Sequence, residues 1–180
     1  LFTLTILVAA CSPTEKQPVD YEQSAHARVE KTSGEIGGNS KAVSAGSVVL
    51  KDPDLDAIYQ QYQQLTLALV KEDFNTAKRS ALAIATGAGQ VKGAKNIAVA
   101  AAQISATSDI KAQRLAFSKL NDAFIVLLKQ SGLDSGKLYV THCPMALDDQ
   151  GASWLSYTKE IRNPYFGDRM LTCGSITETL

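Results

Sequence analysis

The stretch SDIKAQRLAFSKLNDAFIVL, residues 108–127, decides the fold. Ile110, Phe117, Leu120, Phe124 and Leu127 recur at the three- and four-residue spacing that lines one face of an α-helix. Ser108 is the expected N-cap. Asp109 then places a negative charge in the first turn, where the helix dipole favours one. Ser131-Gly132 supplies the stop signal.

Three weaker helical patterns precede this one. An alanine-rich segment from about Ala94 to Ala106 turns Ile97, Ala101 and Ile104 inward, and its small side chains let a neighbouring helix approach closely. Before it, Asp73 can cap a helix with Phe74, Ala77, Ala81, Ile84 and Ala88 on one face. Gly87, Gly89 and Gly93 punctuate the connection between the two. That glycine run has neither the spacing nor the preceding strand of a nucleotide loop. Asp52-Pro53 opens the first helix, with proline at its first position. Leu55, Ile58, Tyr59, Tyr62, Leu65 and Leu69 carry it to about Glu72. Four amphipathic helices with short connections predict a mainly α fold, an antiparallel up-and-down four-helix bundle.

From about Lys137 to Leu180 the character changes. Leu138-Tyr139-Val140 and Trp154-Leu155-Ser156-Tyr157 are β-prone runs around the turn Asp148-Asp149-Gln150-Gly151. Asn163-Pro164 opens a further turn and Gly167 closes it. This predicts an irregular C-terminal cap with a small β-hairpin. Trp154, Tyr157 and Tyr165 are expected in its core, and Asp148, Asp149 and Asp168 at turns and in solvent.

Residues 1–10, LFTLTILVAA, read as the apolar core and cleavage region of a secretory signal. Val8-Ala9-Ala10-Cys11 resembles a bacterial lipobox, which makes Cys11 the expected lipidation site and the attachment to a membrane. Ten apolar residues are too few to span a bilayer, which needs about 20. The polar, glycine- and serine-bearing stretch 11–52 is expected to be a disordered tether, with His26 a solvated bystander in it. The folded domain is then 53–180. Localisation follows: cell envelope, lipid-anchored, facing the periplasm, with the membrane leaflet left open.

Formal net charge is zero, and no basic stretch interleaves with aromatics, so there is no nucleic-acid footprint. With two histidines, one of them in the tether, no Ser-His-Asp or Cys-His-Asn arrangement can be built. Paired carboxylates at helical spacing in a dry pocket are also absent. A catalytic function is not expected.

Chemistry concentrates in the cap instead. Both methionines, two of the three cysteines and one of the two histidines lie between His142 and Cys173. Thiolates and thioethers select Cu(I) and other soft ions. Cys143 and Met145 sit two apart across Pro144, and would share a face if that piece were a strand. Met170 and Cys173 sit three apart, on one face of a helical turn. His142 would fall on the opposite face of the strand and is the weakest of the five candidate ligands. Zinc fits less well, because methionine is a poor ligand for it and a third strong ligand is not obvious. The other reading is a Cys143–Cys173 disulfide, favoured by an even cysteine count outside the cytoplasm. It would close a loop of about 30 residues and contribute roughly 3–4 kcal/mol through loop-closure entropy. The methionines would then fill core.

The cap also carries a longer pattern: Tyr139, Cys143-Pro144-Met145, Gly151-Ala152-Ser153-Trp154-Leu155-Ser156, Ile161, Asn163-Pro164-Tyr165-Phe166-Gly167, Met170 and Cys173-Gly174. With Tyr59-Gln60-Gln61-Tyr62-Gln63-Gln64-Leu65 and Ala112-Gln113-Arg114-Leu115-Ala116-Phe117, it resembles a bacterial domain family of unknown function across about residues 53–180. That family occurs as stand-alone secreted lipoproteins and attached to periplasmic adaptor subunits of copper and silver efflux pumps. Cys143-Pro144-Met145 is similar to the Tyr-x-Cys-Pro-Met-His heavy-metal module of such adaptors, although Ala146 stands where that module has histidine. The resemblance implies a periplasm-facing helical domain associated with copper or related metals, with a heavy-metal efflux adaptor as an expected partner. The expected function is binding of a soft metal ion, Cu(I), in metal handling or efflux. The alternative is a structural or protein-interaction module held by the disulfide, docking to an efflux adaptor or another envelope protein.

Overall fold

A computed structural model describes residues 47–180. The expected signal segment, Cys11, His26 and nearly all of the expected tether lie outside the described residues.

Folded chain begins before Pro53. Val49–Leu50 (β1) pairs antiparallel with Leu133–Ser135 (β2), and Leu50 is buried. Composition placed these two residues in the tether, because two apolar residues in a polar run carry no period of their own. A partner strand from far along the chain, Leu133–Ser135, makes them structured.

The first helix, α1 (Pro53–Val70), starts as expected: the Asp52 carboxylate accepts from the N–H groups of Asp54 and Leu55. It ends two residues early, because Glu72 adopts a left-handed φ of 56°. α2 (Phe74–Ala88) is capped by Asp73, whose side chain accepts from Thr76 N–H at 2.9 Å. Ala77, Ala81, Ile84 and Ala88 are buried, but Phe74, expected beside them, is 41% exposed at the helix start. α3 (Lys95–Ser105) buries Ile97, Ala101 and Ile104. α4 (Ile110–Ser131) is capped by Asp109 rather than Ser108. The Asp109 carboxylate accepts from Lys111 N–H, and its own N–H donates to the Thr107 hydroxyl.

Each helix packs on the next, α1 on α2, α2 on α3 and α3 on α4. α1 and α4 meet through aromatic rings: Tyr62 stacks on Phe117 at 5.6 Å and meets Phe124 edge-on at 5.4 Å. No helix among the described residues is long and apolar enough to cross a membrane.

The cap is a three-stranded antiparallel sheet in the order β4 (Ala152–Ser156), β3 (Tyr139–Cys143), β5 (Ser175–Thr179). The β3–β4 hairpin is the expected one, with Thr141 opposite Trp154 and Cys143 opposite Ala152. The third strand was not expected. All five residues of β5 are exposed, so it shows no apolar-polar alternation, and only its backbone pairing to β3 makes it a strand. The fold is therefore mainly helical, with small antiparallel sheets toward the C-terminus.

Candidate functional site

Four polar side chains buried between the helices and the cap hold the sheet in place. Arg114, on the inward face of α4, donates to the Pro164 carbonyl at 2.8 Å, to the Leu69 carbonyl at 3.2 Å and to the Glu72 carboxylate at 3.1 Å. The Tyr62 hydroxyl donates to Asn121 Oδ1 at 2.5 Å and accepts from Leu155 N–H at 2.8 Å. Asn121 donates to the Phe117 carbonyl and to the Tyr165 hydroxyl, which donates to the Ser153 carbonyl at 2.7 Å. Three of these links tie α1 or α4 to the cap: Arg114 to Pro164, Tyr62 to Leu155 and Asn121 to Tyr165. Such groups persist in a core only when paired. The place of Arg114 and Asn121 was legible in the helical period: 114 and 121 continue the stripe of 110, 117, 124 and 128. A reading that tracks apolar residues alone passes over them.

Within the cap, Asn163 is fully buried and works as a clamp. Its N–H donates to the Leu171 carbonyl at 2.7 Å and its side-chain amide to the Cys173 carbonyl at 2.8 Å. Its Oδ1 accepts from Tyr165 N–H at 2.7 Å. The segment leading to Cys173 is thereby fixed. Gly174 adopts a φ of 136°, and a side chain there would meet the Trp154 ring at 2.9 Å and the His142 carbonyl at 3.0 Å. Glycine lets this backbone lie flat against Trp154 and enter β5 opposite His142.

These constraints bring the two cap cysteines together. Both are free thiols, with Cys143 fully buried at the end of β3 and Cys173 half-buried. Ser175 pairs with His142 and Gly174 lies against the His142 carbonyl, so Cys173 comes alongside the end of β3 that carries Cys143. A hydrogen bond with Cys143, then burial, then repulsion from the Cys143 charge push the Cys173 thiol up to about 11.

The other candidate ligands fare differently. Gly167–Met170 forms a 3-10 turn, and Cys173 N–H donates to the Met170 carbonyl at 3.1 Å. The expected single turn from Met170 to Cys173 is therefore present. Met145 departs from expectation: β3 ends at Cys143, Met145 has helical backbone angles, and its side chain is 46% exposed. The face-sharing expected of Cys143 and Met145 required an extended strand and does not apply. His142 follows strand alternation away from Cys143, with Nδ1 3.1 Å from the Ser153 hydroxyl. Trp154 and Tyr165 are buried as expected, whereas Tyr157 is 51% exposed. Among the described residues there is no group of three or more His, Cys, Asp and Glu side chains placed to hold a metal ion.

The turn after Met145 is strained. Leu147, Asp148 and Asp149 are left-handed, with φ of 55°, 56° and 63°. Left-handed backbone costs a residue with a Cβ roughly 1–2 kcal/mol. Asp148 is exposed and so gives the cleanest test. Asp148→Gly is expected to stabilise the domain by about 0.5–1 kcal/mol, after allowing for glycine's greater unfolded-state freedom. A thermal melt checks this, and a lowered midpoint would contradict it.

No curated protein matches the chain. No solved structure matches it either. Residues 58–136 match the model of a family described as "Protein of unknown function (DUF3347)", a span that runs from α1 to just past β2 and stops short of the sulfur-bearing cap.

Proposed function

We propose that this chain is an extracytoplasmic lipoprotein that binds a soft metal ion, Cu(I), in metal handling or efflux. The observation that carries the reading is that Cys143 and Cys173, from the two ends of the cap, come side by side where β5 enters its pairing with β3. Two thiolates are a sufficient core for Cu(I), which tolerates few, soft ligands. Met170, one turn before Cys173, is the better-placed thioether, and Met145 on the exposed turn is the second. His142 is the weakest member of the set. The role is binding rather than catalysis. In this reading Cys11 carries the lipid, the domain faces the periplasm, and a heavy-metal efflux adaptor is the partner that receives or supplies the ion. The four helices are taken as an antiparallel up-and-down bundle whose α1 and α4 support the cap.

The reduced full chain is expected to take up one Cu(I) in competition with a chromogenic Cu(I) chelator. A Cys143→Ser, Cys173→Ser variant should lose that uptake, and undiminished uptake would sink the proposal. Met170→Leu should weaken binding more than His142→Ala. Because the metal displaces the Cys173 proton, affinity should climb with pH up to about 11, by at most roughly tenfold per pH unit for that proton. Equilibrium competition at several pH values measures the slope, and a flat profile would remove Cys173 from the ligand set.

The same proximity favours a second reading, in which the cysteines bond to each other and the cap is a rigid interaction module without metal. Failure of Cu(I) uptake by fully reduced protein would leave that reading standing.

A further inference from the structure

The two thiols are unequal in access. Cys143 has no exposed surface, at the end of the central strand β3 and among residues of the core cluster. Cys173 is half-buried, on the segment between the 3-10 turn and the edge strand β5. A partner sulfur or a bound ion can therefore reach Cys173 before Cys143. We infer that Cys173 and Cys143 form an ordered thiol–disulfide exchange pair, and that its oxidised state closes the metal site. This regulation rests on the Cu(I) reading, whereas the exchange chemistry does not.

The co-reactant is a small or protein disulfide. The Cys173 thiolate attacks one sulfur of that disulfide, whose S–S bond breaks. One thiolate leaves and a mixed disulfide remains on Cys173. The Cys143 thiolate, already beside Cys173, then attacks the Cys173 sulfur and displaces the second thiolate. Two electrons pass from the cysteine pair to the external disulfide, and the two cysteine protons go to the two released thiolates. The product is a Cys143–Cys173 disulfide, which has no thiolate to offer a metal. Asn163 favours the second step over escape, because it holds the Cys173 carbonyl at 2.8 Å and keeps that segment next to β3.

Oxidised glutathione serves as the probe, acting on the full chain after reduction, with peptide mapping so that Cys11 is read separately. Native protein should yield the internal disulfide with no stable adduct. Cys143→Ala should stall as a glutathione adduct on Cys173, because the resolving thiol is gone. Cys173→Ala should leave Cys143 unmodified while folded, reacting at least roughly tenfold more slowly than Cys173, and should react freely only in denaturant. Should either variant lose its fold, the native chain still reports the order. A brief pulse of oxidant quenched by acid should trap the mixed disulfide on Cys173 and not on Cys143. Equal trapping on both, or a persistent adduct with no internal disulfide, overturns the inference. Cu(I) uptake then separates the two claims. Uptake by the reduced chain that disappears on oxidation and returns with dithiothreitol supports the switch. Equal uptake in both states overturns the switch alone. No uptake even when reduced overturns the Cu(I) reading and the gating built on it, while the order of exchange stands on the trapping result.

Discussion

Tyr62→Phe is expected to destabilise the domain by about 3 kcal/mol, although it removes a single oxygen. The ring stays packed between Phe117 and Phe124, so almost no apolar burial is lost. What disappears is the hydroxyl shared by Asn121 Oδ1 and Leu155 N–H, both buried. A buried donor or acceptor left without its partner costs about 1–3 kcal/mol, and here two are left. For a domain of this size the melting temperature should fall by roughly 10–15 °C. Tyr157→Phe is the control: Tyr157 is half-exposed, and loss of its hydroxyl should change stability by no more than about 0.5 kcal/mol. Equal small shifts in both variants would mean that the Tyr62 hydroxyl does not hold β4 to α1. Because Leu155 also pairs with Val140 of β3, amide exchange along β3 should quicken in Tyr62→Phe.

Alkali should unfold this domain cooperatively. Burial raises the phenol groups of Tyr59, Tyr62 and Tyr165 well above their ordinary range. The same groups titrate near pH 10 in an unfolded chain. An acid whose folded value is raised stabilises the fold fully below its unfolded value and loses that contribution as pH rises beyond it. Above about pH 10 each tyrosine should therefore subtract about 1.4 kcal/mol per pH unit, or about 4 for the three together. Against a typical stability of about 5–15 kcal/mol, a few pH units suffice. Helix content followed by circular dichroism should collapse in one step, with three tyrosinates appearing in the same step by ultraviolet absorbance. Gradual ionisation of these three with the helices intact would show that they are accessible in the native state.

The interior of α4 explains how much could be read in advance. Phe117, Leu120 and Phe124 announce the inward face by spacing alone, and the same spacing carries Arg114 and Asn121 into the core. Apolar periodicity also found α1, α2 and α3, because each buries one stripe against a neighbour. Caps were read to within one residue: Ser108 and Asp109 both suit an N-cap, and Thr107 decides between them by accepting the Asp109 N–H. The β3–β4 hairpin was visible because two β-prone runs with buried residues flank a turn. β5 was not, since a fully exposed edge strand is defined by its partner.

For the site, sequence supplied the sulfurs and their two pairings along the chain, Cys143 with Met145 and Met170 with Cys173. It also supplied the glycine at 174 and the asparagine at 163, without their purpose. Local chemistry sets such features: periodicity, capping and ligand softness depend on residues a few positions apart. Tertiary structure alone decided that Cys143 and Cys173 meet, that one is sealed and the other reachable, and that Met145 lies on an exposed turn. Those facts depend on the β3–β5 register, on the Asn163 clamp and on the polar links from α1 and α4 to the cap. Each is a contact between residues distant in sequence, and no local pattern records it.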